Sequence, residues 1–149
     1  MVKQVIRRRL RSERGAELIE LAIVLPILLL VFAGIVDFAL AMQRFVTLNN
    51  AAREGARIAV LPGYTQTDVQ NRVTQYVREG TGDPTASPTT VLTNVSIAPS
   101  GPAPAFPAAQ VTVTLTHSYL FLGPVSGLLG GGSFSSITLT SRSTMRIES

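Results

Sequence analysis

The sequence predicts an α+β protein. A long N-terminal helix with a transmembrane segment extends into a small domain built from a short second helix and a three-stranded antiparallel sheet. Three observations carry this reading. An uncharged apolar run fills residues 21–36 behind a basic cluster, a stripe of small residues continues beyond it, and three segments alternating apolar with polar side chains occupy the second half. The 149 residues fit one small domain plus an extension, because an independent core usually needs roughly 100 to 150 residues.

The run LAIVLPILLLVFAGIV, Leu21 to Val36, has no charge, and apolar character resumes after Asp37 from Phe38 to Met42. Those first sixteen residues rise about 24 Å as a helix, slightly short of a ~30 Å hydrocarbon core. Leu21 to Met42, with Asp37 tolerated near one end, spans it, so a single pass over about residues 21–42 is expected. Lys3, Arg7, Arg8, Arg9, Arg11 and Arg14 precede the run against one acid, Glu13, whereas Arg44, Arg53 and Arg57 are spread out after it. The positive-inside bias therefore places a basic leader, residues 1–15, in the cytoplasm and the chain beyond about Met42 outside, periplasmic or extracellular.

The leader also accounts for the net charge of +4, since it carries +5 and the remaining residues sum to −1. Without a basic face, and with few aromatic rings to stack on bases, the rest of the chain does not suit a nucleic-acid partner. There are no cysteines, which excludes disulfides, thiolate metal sites and thiol nucleophiles. The exported part must then be held by packing, by the long helix or by neighbouring subunits.

The helix is expected to continue past the membrane, because Ala41, Phe45, Leu48, Ala52, Gly55 and Ala59 keep a four-three spacing on one narrow face. Ala52, Gly55 and Ala59 would let a sheet or helix approach closely, while Arg53, Glu54 and Arg57 lie to the side, Glu54 and Arg57 at i, i+3. Leu61-Pro62-Gly63 ends it. Ala16 to Val60 would be one helix about 68 Å long, with Pro26 and Gly34 as points where it can bend. The chain thus divides into a leader at 1–15, a helix region at 16–62 and an exported α+β domain at 63–149.

Thr67, followed by Asp68, offers an N-cap for a second helix whose apolar stripe is Val69, Val73, Tyr76 and Val77, ending at Glu79 before Gly80. Beyond the turn-rich TGDPTASPTT, strands are expected over Val91 to Ala98, Gln110 to Phe121 and Ile137 to Ile147. In the middle one, Val111, Val113, Leu115, His117, Tyr119 and Phe121 share a face, opposite Thr112, Thr114, Thr116 and Ser118. PSGPAPAFP and GPVSGLLGGGSFSS read as long connections. Three short strands do not fold alone in water, so the sheet should cover the exported half of the long helix.

The chemically informative stretch is Arg14-Gly15-Ala16-Glu17-Leu18-Ile19-Glu20, directly before the apolar run. Here the sequence resembles a type IV prepilin. Asp37-Phe38 and Asn50-Ala51-Ala52-Arg53-Glu54-Gly55-Ala56-Arg57 make it similar, more narrowly, to the TadE-like minor pilins of tight-adherence (Tad) pilus systems. The likeness covers about the first 60 residues, and the sheet domain only in general plan. It implies cleavage by a prepilin peptidase between Gly15 and Ala16, which makes Glu20 the fifth residue of the mature chain. It also implies other pilin or pseudopilin subunits, an inner-membrane assembly platform and the lipid bilayer as partners. Ala16, where many type IV pilins have phenylalanine, and Leu21, where the major Tad pilin has tyrosine, point to a minor pilin or pseudopilin.

Physical chemistry is consistent with those roles. Glycine at the cut site lets a protease take up an extended backbone. Cleavage would create an α-amino group at the edge of a low-dielectric phase, and Glu20, four residues on, is a natural partner for it in the same or a neighbouring subunit. Glu17 and Glu20 could instead be solvated charges near a positive helix N-terminus. Asp37, an acid inside the apolar zone, is open between a water-facing structural role and a docking contact. Arg53, Glu54, Gly55 and Arg57 are further candidates for helix contacts.

His117 reads as a core histidine, without companions for a metal site. No catalytic constellation, cofactor motif or phosphate loop is present in the sequence, so an enzyme is not expected. Two rival readings remain. One is a secreted or anchored binding domain, since Ala39-Leu40-Ala41 resembles a signal-peptidase site. The other is a pseudopilin of a secretion machine.

Overall fold

The computed structural model describes residues 2–97, 105–128 and 135–147 of the chain. Helix α1 (Val2–Ala59) is followed by α2 (Gln66–Thr81), strand β1 (Thr89–Ile97), strand β2 (Phe106–Ser118), a short helix α3 (Leu122–Leu128) and strand β3 (Ser136–Arg146). The long N-terminal helix, the short second helix and the three-stranded antiparallel sheet are those expected from the sequence.

α1 begins earlier than the expected Ala16, because residues 2–14 contain no proline or glycine and are rich in good helix formers. It runs unbroken through Pro26 and Gly34. At its far end the Leu61 N–H donates to the Ile58 carbonyl at 3.0 Å, and Gly63 takes a positive φ of 88°. That tight last turn and left-handed glycine stop the helix where Pro62 has no N–H to continue it.

The cap of α2 lies two residues before the expected one. Thr65 caps it, accepting from the Asp68 N–H at 3.4 Å, while the Asp68 carboxylate accepts the Thr65 N–H at 2.8 Å. This reciprocal capping box uses the threonine three residues before the acid and leaves Thr67 inside the first turn. α2 also runs past Gly80 to a left-handed C-cap at Gly82. Gly80 serves another purpose: a Cβ there would lie 2.5 Å from Thr47 Cγ2, so its absence lets α2 rest directly on α1.

The sheet has the order β1-β2-β3 with both pairs antiparallel. Val113 stands between Thr90 and Ser141, and Leu115 faces Leu139. The inner face, Ala109, Val111, Val113, Leu115 and His117 of β2 with Leu139 and Ser141 of β3, is buried. It closes on Leu48, Ala51, Ala52, Ala56 and Ile58 of α1 and on Val69, Val73 and Val77 of α2. The opposite face carries hydroxyls, with Thr89, Thr114 and Thr140 in one row across the three strands.

Two expectations about these elements need correction. β2 ends at Ser118 and not at Phe121, so Tyr119 and Phe121 do not extend its inner face. The connection to β3 holds α3, a helix that its glycines and single proline conceal in the sequence. Of the third expected strand, Ile147 lies just past β3, and its N–H donates to the Pro107 carbonyl at 2.9 Å. Ala98, expected to close β1, and most of the GPAPAFP connection lie outside the described residues.

The Gly80–Thr47 contact predicts a reversible defect. Gly80→Ala alone should lower the melting temperature of the full chain in detergent, because overpacking costs about 1 to 3 kcal/mol. Combining it with Thr47→Ser, which removes the clashing methyl, should recover that loss and reveal the helix-propensity gain of about 1 kcal/mol.

Candidate functional site

Across the described part of α1 the surroundings change once. From Ala16 to Phe32 every side chain is exposed around the whole circumference, with Ile23, Ile27, Leu28 and Phe32 each 60% or more accessible. A helix that is apolar on all sides and covered by nothing is compatible with a single-pass membrane protein. Cover begins at Ala33, Gly34 and Val36, which are half-buried, and is complete at Asp37. Phe38 to Met42, read from the sequence as the outer end of the span, therefore run beside the folded domain. In that stretch Phe38 and Met42 point away from it and are exposed, while Ala41 is buried.

Asp37 is the contact that fixes this boundary. Its side chain is fully buried, and its carboxylate accepts three consecutive backbone N–H groups: Leu120 at 2.9 Å, Phe121 at 3.0 Å and Leu122 at 2.7 Å. Those are donors at the start of α3, which have no partner inside that helix. An acid on α1 thus caps a helix more than eighty residues away in sequence. The same interaction ends β2, because the N–H groups that would continue the ladder turn toward the carboxylate. In this structure the Asp37 carboxylate is buried and makes its contacts within the chain.

His117 sits at the end of β2 and is 3% exposed. Its ring meets Tyr119 edge-on at 5.8 Å, and neither ring nitrogen has a hydrogen-bond partner among the described residues. Burial pushes its pKa below the ordinary histidine range; the Arg44 charge adds to this and the Asp37 charge opposes it. It is a buried core histidine, as expected.

The motif from Asn50 to Arg57 forms the seam of the core. Ala51, Ala52, Gly55 and Ala56 are buried, and a Cβ on Gly55 would lie 2.7 Å from Val73 Cγ2 and 3.2 Å from Val111 Cγ1. Gly55 thus lets α2 and β2 meet the same turn of α1. Of the residues expected on the small face, Phe45 is instead 37% exposed, because the covered face is centred on Leu48, Ala52 and Gly55. Arg53 points outward and is exposed.

Glu54 accepts from Arg57 through both carboxylate oxygens at 2.8 Å and from Arg72 of α2 at 3.3 Å. The Arg57 hydrogen bonds dominate in holding its pKa down to about 2, against the opposing effect of partial burial. Sequence spacing found the Arg57 partner; the Arg72 partner, eighteen residues on, had no signal in it. Arg44 reaches Asp83, beyond α2, at 3.8 Å, and Ser141 of β3 donates to Asn49. α1 is therefore tied by polar contacts to α2, to the turn after it, to β3 and to α3.

The processing and assembly candidates stand apart from this domain. Gly15 lies within α1 where an added Cβ would meet no atom of the described residues within 4 Å, and Ala16 and Glu20 are exposed. Glu20 is about 25 Å from Asp37 by helical rise. Among the described residues Ala16 and Glu20 are exposed on a part of α1 that the domain leaves bare.

Comparison with known families gives one match. The family model of TadE-like protein aligns with residues 15–57, beginning at Gly15 and ending at Arg57. The resemblance read from the sequence is thereby shown over the helix that carries Glu20, Asp37 and the small-residue seam. No curated protein and no solved structure matches the chain.

Asp37→Ala should destabilise the full chain by about 2 to 4 kcal/mol, since three N–H groups lose a charged acceptor. The amides of Leu120, Phe121 and Leu122 should then exchange with deuterium much faster, while those of β2 stay protected. Glu54 predicts an acid limb. Its carboxyl titrates near 4.5 when unfolded and about 2 when folded, so its contribution is present above pH 4.5 and is lost as pH falls toward 2. Discounted for the solvent around Arg57, that contribution is about 1 to 2 kcal/mol, and Glu54→Gln should flatten melting temperature against pH in this window.

Proposed function

Starting from a TadE-like N-terminal helix, we propose that the chain is a minor pilin or pseudopilin, a structural subunit of a Tad-type pilus and not an enzyme. It is held in the bacterial inner membrane by one pass with its N-terminus cytoplasmic. A prepilin peptidase cuts between Gly15 and Ala16, and the mature chain works with other pilin subunits and an inner-membrane assembly platform. The observation that carries this reading is the family match that begins at Gly15 and runs along a helix bare in its first part and covered in its second.

The chemistry of each step follows from the residues. Glycine in a helix interior costs about 1 kcal/mol relative to alanine, so α1 opens more easily at Gly15 than at the residues beside it for a protease that needs extended backbone. The new α-amine of Ala16 lies about one turn from Glu20, which is exposed. An ion pair at the edge of lipid is strong when satisfied and costly when broken. Pairing Glu20 with the amine of a neighbour would set the step between subunits.

The reading as a domain released by signal peptidase fits the structure poorly. A cut after Ala41 would remove Asp37 and leave three α3 N–H groups without their acceptor. Among pilin-like roles, the TadE-like match favours the Tad system over a secretion machine.

Intact mass of the membrane-extracted protein tests the proposal. The native chain should begin at Ala16, and Gly15→Phe should retain residues 1–15. Glu20→Ala should be cut normally yet fail to support pili in cells. Normal processing of Gly15→Phe would remove the cut site, and undiminished piliation by Glu20→Ala would remove the amine pairing.

A further inference from the structure

Where β2 ends, the chain presents two large apolar side chains with no cover: Leu120 is 61% and Phe121 44% exposed. They lie where the domain meets α1 just above its bare part. Their backbone N–H groups are held by Asp37, the first fully covered residue above the bare apolar stretch, so their height along α1 is fixed to within one side chain. On α1 at that level, Ile35 and Phe38 are 64% and 68% exposed. The tip and these helix side chains thus lie at one height at the end of the span, on different faces of α1.

Charge points the same way. Between His117 and Arg142 the sequence contains no charged residue, the second part of a run from residue 84 to 141 without Asp, Glu, Lys or Arg. α3 follows the tip immediately and contributes only Leu, Gly, Pro, Val and Ser. Since α3 touches α1, and α1 is half-covered at Ala33, Gly34 and Val36, this part of the domain reaches about one turn below Asp37. A segment placed there meets headgroups and upper acyl chains, where a charge would be desolvated and Leu and Phe would gain by burial.

We propose that the Leu120–Phe121 tip is a second membrane contact, inserted in the outer leaflet beside α1. It fixes the tilt of the exported domain on the bilayer before assembly. The occupant of this patch is lipid, and the proposal rests on α1 crossing the bilayer. Asp37 is its positioning residue: by holding backbone and not side chains, it sets the depth of the tip whatever side chain stands at 120 or 121.

The chain has no cysteine, so a single introduced thiol reports one position cleanly. The full chain, reconstituted in phosphatidylcholine–phosphatidylglycerol vesicles, would carry an environment-sensitive nitrobenzoxadiazole probe on Leu120→Cys or Phe121→Cys. Leu29→Cys serves as the control inside the span and Val91→Cys as an exposed control on the sheet. Probes at 120 and 121 should shift to the blue and lose several-fold more emission than the 91 probe to lipids spin-labelled near the headgroup. The 29 probe should respond instead to lipids labelled deep in the chain.

If positions 120 and 121 behave like 91 while 29 reports lipid, the tip proposal is overturned and the single pass stands. If 29 is also wet, the membrane reading itself fails. Shielding at 120 and 121 that appears only as the protein-to-lipid ratio rises, without lipid quenching, would assign the patch to a second copy of the chain and overturn the proposal. Matching melting curves for the four unlabelled variants establish that each is folded.

Discussion

The fold depends on how closely other elements approach one stretch of α1. Around Ala51, Ala52, Gly55 and Ala56 the helix has almost no side-chain bulk on one face, and α2 and the sheet meet there. Backbones brought this near exchange many small dispersion contacts, each worth only about 0.1 to 0.2 kcal/mol, and their number makes up for the lack of large side chains. The residues after α1 do not enclose a core by themselves. Their apolar face is closed by the helix, so the folded domain is built on the same helix that carries the bare apolar segment.

That arrangement makes α1 two objects in one rod. Its first part is apolar on every side and uncovered, which is stable only in a solvent as apolar as itself; its second part is amphipathic and solvated by its own domain. The passage between the two is sharp. It falls at Asp37, where a carboxylate that would be costly in lipid finds three N–H donors. A side chain that interrupts the hydropathy of the apolar run thereby becomes the point at which the domain is registered against the bare part of α1. The peptidase and assembly roles proposed for Gly15, Ala16 and Glu20 sit at the other end, outside the reach of the domain's own contacts. A carboxylate satisfied within its own chain has little left to offer a neighbour. One such as Glu20, exposed on a bare helix, remains available.

Much of this was legible in the residues because it rests on local periodicity. Uncharged length marked the span, small residues at three-four spacing marked the seam, and alternation marked the strands; each signal is a direct consequence of side-chain direction along a regular backbone. Less regular features misled. Thr67 looked like a cap because it stands next to Asp68, yet a capping box needs the pair three apart, which Thr65 supplies. Phe121 continued the alternation of β2 by one more step, yet the backbone had already left the strand. α3 lacks the apolar stripe and the local cap by which a helix is recognised.

The sequence by itself determined the membrane-length helix, its continuation as a packing face, the sheet that covers it, and the position of the glycine and glutamate near the start. These follow from neighbours within a few residues, where spacing alone specifies geometry. Only the tertiary structure decided that Asp37 caps α3, that Arg72 joins Arg57 on Glu54, that Gly80 is empty for the sake of Thr47, and that Leu120 and Phe121 come to the level where the span ends. Each of those joins residues separated by eighteen or more positions. No periodicity records such a meeting, because it is fixed by how the elements pack and not by the residues on either side.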